Sequence, residues 1–266
     1  MQFSVLMSLY FKENPQFLEE SFESLVAQTR PADEIVLVFD GAITPELEAV
    51  VQKFEQKLPL VIVRLAQNRG LGKALNEGLL HCSHEWVFRM DTDDICVPDR
   101  FKKQVAFIEA NPETVIFGGQ IAEFGQHISD ILSYRRVPTL PAEIIRFTRK
   151  RCPFNHMTVA YRKSAVLACG GYEDLQEDYY LWLKLVAQNP KVGNLPDILV
   201  YARIGNGMVG RRRGLAHAKA EWRLFKLKQR LGIEGTFSGL VTFFQRMLPR
   251  LLPVALLKMI YQFLRK

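Results

Sequence analysis

Short, almost wholly apolar runs alternate with stretches of helical period along the first hundred residues. Phe3 to Phe11 and Glu34 to Phe39 are apolar and partly β-branched without strict alternation, the pattern of strands buried on both faces of a parallel sheet. Between them Leu18, Phe22, Leu25 and Val26 recur at i, i+4, i+7 and i+8, one face of a helix that begins after Pro15. This βαβ unit repeats as a helix near Thr44 to Lys57, a strand near Leu60 to Ala66, a helix from Gly72 to Cys82 and a strand from Glu85 to Met90. Successive units of this kind predict an α/β fold, a mostly parallel sheet with helices on both faces and ligands at the carboxyl ends of its strands.

Beyond Pro98 the pattern continues with a helix carrying Phe101, Val105 and Ile108. Strand-like stretches follow near Val115 to Phe124, Ile128 to Arg136 and His156 to Arg162, and then a helix carrying Glu177 to Trp182. Glycines and three arginines interrupt the pattern at 205–214, which predicts a boundary between a body of residues 1–210 and a C-terminal helical region of residues 211–266.

Charge sharpens that division. The net charge is +7, but from Arg211 to Lys266 it is +11 and over the first 210 residues −4, so an acidic body carries a basic tail suited to an anionic partner. In the tail, Leu240, Phe243, Phe244, Met247, Leu248, Leu251 and Leu252 form an apolar stripe that Leu256, Leu257, Ile260, Tyr261 and Leu264 continue. Charges and prolines leave no uncharged run of about 18 residues, so the tail is expected to lie on an anionic membrane surface without crossing it. A helical hairpin docked on the body is the other reading of the same stripe. Nucleic acid is not expected as a partner, because the basic residues sit among aliphatic ones with no recognised binding motif. Four widely spaced cysteines and no basic leader before Phe3 predict a reduced protein that stays in the cytoplasm.

Four features carry candidate chemistry. The strand ending near Met90 runs into Asp91-Thr92-Asp93-Asp94, and an extended course would set Asp91 and Asp93 on one side at the ligand-binding edge. Hard oxygen ligands in an open site suit Mg²⁺ or Mn²⁺ bridging to phosphates; the competing reading makes Asp94 or Asp99 a helix cap. Asp40-Gly41 after the second strand is a turn pair or a ligand contact. Asn68 to Leu79 is a glycine-rich entry into a helix, either a phosphate-facing amide cradle or a plain loop. Glu177-Asp178 opens an apolar helix, where acids favour the dipole whatever else they do.

Tyr10, Asp40-Gly41, Asn68-x-Gly70 with Asn76-x-Gly78, the acidic cluster at 91–94 and Glu177 to Trp182, in that order, resemble the inverting glycosyltransferases of family 2, with the Rossmann-like GT-A fold. The likeness extends over about residues 3–205 and is nearest to non-processive bacterial members that build exopolysaccharide or lipopolysaccharide repeat units. It implies a nucleotide-sugar half of about 1–98 and an acceptor half of about 99–210. The resemblance further implies that Tyr10 stacks on the base, Asp40 accepts from the base imide, Lys73 stands near the phosphates, Asp91 meets the ribose or the metal and Asp93 holds the metal. Asp178 would be the general base, Glu177 and His156 would line the acceptor side, and Arg212 and Arg213 would meet diphosphate oxygens. His156 satisfied inside the fold and a solvated Arg211 to Arg213 loop are the alternatives. The implied substrates are a nucleoside diphosphate sugar, with uridine the expected base, and a polyprenyl-diphosphate-linked or other saccharide acceptor at the inner face of the cytoplasmic membrane. Two other classes share some features: a haloacid-dehalogenase-like phosphatase, with its Asp-x-Asp at a strand end, and a non-catalytic nucleotide-binding protein.

Overall fold

The computed structural model describes residues 1–173, 177–204 and 215–251. Four parallel strands build the first half: β1 (Phe3–Leu9), β2 (Glu34–Phe39), β3 (Leu60–Arg64) and β4 (Trp86–Arg89). Helices α1 (Pro15–Val26), α2 (Pro45–Phe54) and α3 (Leu71–His81) connect them. Local chemistry sets the starts of the first two. Asn14 accepts a hydrogen bond from the Gln16 amide and Thr44 from that of Leu47, and in each case proline occupies the first helical position, where no amide is needed.

The second half extends the same sheet. It contributes β5 (Ile95–Cys96), α4 (Arg100–Ala110), β6 (Thr114–Phe124), β7 (Ile131–Arg135), α5 (Pro141–Thr148), β8 (Ala160–Arg162), α6 (Lys163–Ala168), α7 (Glu177–Ala187) and β9 (Lys191–Arg203). The strand order is β3-β2-β1-β4-β8-β6-β9-β5, with β7 pairing β6. Pairing is parallel from β3 through β4 and between β6 and β9, and antiparallel at β4–β8, β8–β6, β6–β7 and β5–β9. This mixed sheet with its flanking helices has the GT-A architecture.

Two stretches differ from the sequence expectation. His156 to Arg162 is not one strand, because His156–Thr158 is a 3-10 turn and only Ala160–Arg162 extends. Strand β9 has no counterpart in the apolar pattern. It carries Pro196 and continues past it: Asn194 is opposite Gly118 and Ile198 opposite Gln120, so the extra residues bulge around the proline.

Helices α8 (Leu215–Arg230) and α9 (Thr236–Leu251) form a C-terminal hairpin, with α8 against α7. Leu224 and Leu227 pack with Tyr179 and Leu183, Arg246 pairs with the buried Glu221 at 2.7 Å, and Trp222 meets Phe243 edge-on at 5.4 Å. The outer face of α9 exposes Phe237, Val241, Phe244 and Leu248. Thus the described tail both docks on the body and presents an apolar stripe, and residues 252–266 lie outside the described chain. Among the described residues no helix is long and apolar enough to cross a membrane.

Gly78 marks a tight contact between α3 and the sheet. A Cβ there would stand 2.5 Å from both Leu6 Cδ1 and Val38 Cγ2, side chains sealed in the core. Gly78→Ala is therefore expected to cost about 1–3 kcal/mol through overpacking, read as a lower denaturant midpoint with unchanged slope; an unshifted midpoint would show that α3 can move away freely.

Candidate functional site

The acidic cluster is a turn centred on Thr92 and Asp93, not an extended segment. Buried guanidinium groups hold it. Arg89, fully buried, donates to Asp91 and to the Met90 carbonyl; Arg100, also fully buried, donates to the Arg89 carbonyl at 2.6 Å. Arg203, at the end of β9, lies over Phe17 (3.9 Å to the ring centre) and Phe124 (4.5 Å). It donates to the Asp93 carbonyl at 3.1 Å, to the Gln126 carbonyl at 3.0 Å and to Glu20, and its amide donates to Asp94 at 2.8 Å. Helix capping does not explain these acids: Asp99 makes no side-chain cap bond to α4 and pairs with Lys103, while Asp94 is occupied by the Arg203 amide.

The acids differ sharply in electrostatics. Burial pushes Asp91 up, but the Arg89 guanidinium, with Arg100 behind it, outweighs burial and holds the carboxyl below the usual carboxylate range. Burial, with Asp91 and Glu13 beside it, pushes Asp93 up to about 7. Burial and the neighbouring Asp93 and Asp91 push Asp94 well above its ordinary value. A carboxyl raised by its acidic neighbours is one that a divalent cation would discharge. The oxygen set fits a hard cation held by two carboxylates and completed by substrate oxygens; among the described residues no three acidic, His or Cys groups form a closed metal cage.

At the neighbouring strand ends, Asp40 ties two loops together. Its carboxylate accepts the Arg69 amide at 2.6 Å and that of Gly70 at 3.0 Å, and the Asn68 side-chain amide donates to its carbonyl at 3.1 Å. Gly41 has φ +84°, and a Cβ there would stand 2.6 Å from the Asn68 nitrogen, so this turn requires glycine. The carboxylate retains further lone pairs, though only 3% of the residue is exposed. Tyr10 is half-buried just after β1, and Lys73 is exposed in the first turn of α3. Since β2, β1 and β4 are adjacent and parallel, Asp40, Tyr10 and the acidic turn share one edge of the sheet.

On the other side, Asp178 lies in the first turn of α7 and accepts from the Cys152 thiol at 3.6 Å. Tyr179 beside it anchors α7 by donating to the Thr148 carbonyl at 2.6 Å. His156 joins the two sides: burial and Arg89 drive its pKa down to about 4, while Asp178 and Asp91 both oppose the shift. The imidazole is neutral near pH 7, and its Nε2 is buried without a hydrogen-bond partner. The Glu177 side chain, Arg212 and Arg213 lie outside the described residues.

Sequence reasoning missed Arg89, Arg100 and Arg203. An arginine within an apolar strand beside an acidic cluster is a readable signal for Arg89; Arg203, 109 residues beyond Asp94, had none. It also left unexplained Asn76, whose side chain brackets Tyr172, accepting its amide at 2.7 Å and donating to its carbonyl at 2.8 Å.

Residues 4–175 match the sequence profile described as Glycosyl transferase family 2. The chain belongs to that family. A Haemophilus influenzae protein described as an uncharacterized glycosyltransferase is 76% identical to this transferase over 267 residues, covering all of both chains. The amylovoran biosynthesis glycosyltransferase AmsE of Erwinia amylovora is 46% identical over 99% of each chain. An Escherichia coli protein named UDP-Gal:alpha-D-GlcNAc-diphosphoundecaprenol beta-1,3-galactosyltransferase is 34% identical over 98% of this chain and 95% of its own. Among solved structures, Staphylococcus aureus TarS 1-349 with UDP-GlcNAc gives a TM-score of 0.69 at 21% identity, covering 94% of this chain and 72% of that one. The mannosyltransferase PcManGT of Pyrobaculum calidifontis, with GDP-Man and Mn²⁺, gives 0.64 at 18%, covering 99% and 80%. The phosphatase and the non-catalytic readings therefore fall; Tyr10, not an aspartate nucleophile, follows the first strand of this transferase.

The raised carboxyl of Asp93 sets a pH dependence. As a cation ligand it would first have to lose its proton, so Mn²⁺ affinity measured by calorimetry would rise about tenfold per pH unit below about 7 and level off above it. The folded carboxyl keeps its proton up to about 7, whereas an unfolded one releases it near about 4. This group therefore destabilises the cation-free fold as pH rises through that window, a loss that a cation bound there would offset. An affinity independent of pH, or retained in Asp93→Asn, would remove Asp93 from the cation site.

Proposed function

We propose that this family 2 enzyme transfers a sugar, with inversion, from a uridine diphosphate sugar to a hydroxyl of a lipid-linked saccharide in bacterial surface polysaccharide synthesis. The observation that carries the reading is that Asp91 of the acidic turn and Asp178 both act electrostatically on one half-buried, neutral imidazole, His156. That shared influence supports a reading in which donor-side and acceptor-side carboxylates serve one site. The names of two full-length relatives, one from amylovoran biosynthesis and one using a UDP-sugar and a diphosphoundecaprenol acceptor, support the donor and acceptor classes.

Tyr10 stacks on the base and Asp40 orients it, while Lys73, Arg212 and Arg213 meet the diphosphate. Asp93, with Asp91, would hold Mn²⁺ or Mg²⁺, and the chemistry such a cation would supply is charge neutralisation for the departing diphosphate. Asp91 also reaches the ribose. Asp178 takes the proton of the acceptor hydroxyl as it attacks the anomeric carbon from the face opposite the leaving group, so one displacement inverts the configuration. His156 and Glu177 line the acceptor side, where a neutral imidazole adds no cation to compete for the base. The exposed stripe of α9 rests on the inner face of the cytoplasmic membrane, holding the enzyme as a peripheral protein near its acceptor.

Asp178→Asn separates chemistry from binding. Its kcat is expected to fall about 10²–10⁴-fold, while UDP affinity, measured by calorimetry, stays within about twofold. Lost UDP binding with turnover retained at saturation would make Asp178 a donor-site residue and overturn its role as the base.

A further inference from the structure

The segment from β7 through α5 to Arg151 exposes two kinds of side chain that are costly to leave together. Leu132, Tyr134, Leu140 and Ile145 are exposed apolar groups, with Leu132 63% and Leu140 59% accessible. Interspersed are six exposed cations, Arg135, Arg136, Arg146, Arg149, Lys150 and Arg151, against only Asp130 and Glu143 over residues 128–151. Among the described residues no ion pair joins any of the six to a carboxylate. Cations alone would serve to guard the β7 edge against pairing with another sheet, but a guard gains nothing from four exposed apolar side chains. Apolar groups that bury shallowly among cations match the chemistry of an anionic bilayer surface.

The patch is tied both to the Asp178 side of the site and to the C-terminal hairpin. Arg135 donates to the Cys152 carbonyl at 3.4 Å, and the Cys152 thiol meets Asp178. Asn194 donates to the Pro138 carbonyl at 2.7 Å and to that of Pro153 at 3.1 Å, joining the link between β7 and α5 to the residues that follow Arg151. At the far end, Lys228 donates to the Arg149 carbonyl and Arg246 to that of Lys150 at 3.3 Å, so the segment is joined to the hairpin that carries the α9 stripe.

We propose that the β7–α5 segment is a docking surface for an anionic phospholipid bilayer, joined through Arg149 and Lys150 to the α9 hairpin, and that it brings the Asp178 side of the cleft to the membrane. The inference rests on the lipid-linked acceptor proposed above and adds a second, internal membrane contact beside that acceptor side. A lipid-anchored saccharide then reaches Asp178 without leaving the bilayer surface.

The test uses the full chain and cosedimentation with vesicles of phosphatidylcholine alone, mixed with phosphatidylglycerol, or carrying a polyprenyl diphosphate. The parent is expected to bind only the anionic vesicles and to be released by high salt. The triple variant Arg136→Glu, Arg146→Glu, Arg151→Glu should bind them at least about tenfold more weakly, and Leu132→Ser with Ile145→Ser should also weaken binding. UDP affinity and the near-ultraviolet spectrum should stay unchanged in both, which shows that the fold survives. A control of equal charge change elsewhere, Lys57→Glu, Lys102→Glu, Lys191→Glu, should bind like the parent. If the triple variant binds like the parent, or no more weakly than the control, the patch does not face lipid and only α9 carries the membrane contact. A triple variant impaired solely with vesicles containing a polyprenyl diphosphate would assign the cations to the acceptor headgroup and overturn the bilayer surface. A parent that ignores anionic vesicles would overturn the membrane reading as a whole, while leaving the sugar-transfer reading to stand or fall on Asp178→Asn.

Discussion

Everything at the edge of the sheet that carries the acidic turn depends on buried positive charge. Asp91, Asp93 and Asp94 crowd three carboxyls at the end of a buried strand, where burial and then mutual repulsion push Asp93 and Asp94 above their ordinary values. Arg89, Arg100 and Arg203 make the arrangement tolerable: each donates to a backbone carbonyl, and Arg89 and Arg203 also to a carboxylate, so each guanidinium fixes backbone while raising the local potential. The balance is incomplete. Asp91 is neutralised by Arg89 from within the protein, while Asp93, among the described residues, forms no ion pair. Removing any one guanidinium would leave buried acids uncompensated, the costly side of a buried ion pair.

A related logic explains why pairs of short sequence motifs occur together. Asp40-Gly41 and Asn68 to Gly70 are one object in space, since the aspartate binds the amides of the second motif and the glycine lets it approach. Asn76 and Gly78 lie within α3 but serve opposite sides of it. The glycine lets the helix settle on β1 and β2, while the asparagine holds the Tyr172 backbone ahead of α7. Helix α3 is therefore a spacer between the Asp40 loops and the segment that leads to Asp178.

How much of this was legible followed the range of the interaction. The β1 to β4 units could be read because each strand and helix carries its own periodicity, and two of the helices their own caps at Asn14 and Thr44. The acidic turn and Glu177-Asp178 stood out because adjacent acids need a reason. Strand β9 was hidden by Pro196, whose cost is absorbed in a bulge that only the partner strand defines. Arg203 was hidden because its meaning comes from Phe17, Glu20, Asp93 and Phe124, none of them near it in sequence. The docking of the tail likewise depends on Tyr179 and the end of α5, so its apolar stripe alone did not distinguish a packed face from an exposed one.

The distance between Arg203 and the turn it secures also bears on synthesis. The partners Asp93 and Arg203 are separated by 110 residues, and a ribosome adding about 5–20 residues per second takes roughly 5–20 s to supply the second after the first. During that interval β1 to β4 are complete and can pair, yet the acidic turn stands without the guanidinium that binds the Asp93 carbonyl and without β9, which pairs with β6 and β5. The nascent chain therefore passes through a stage in which the parallel half has its sheet but not its finished acidic edge. Vectorial synthesis builds the scaffold first and secures the charged turn last.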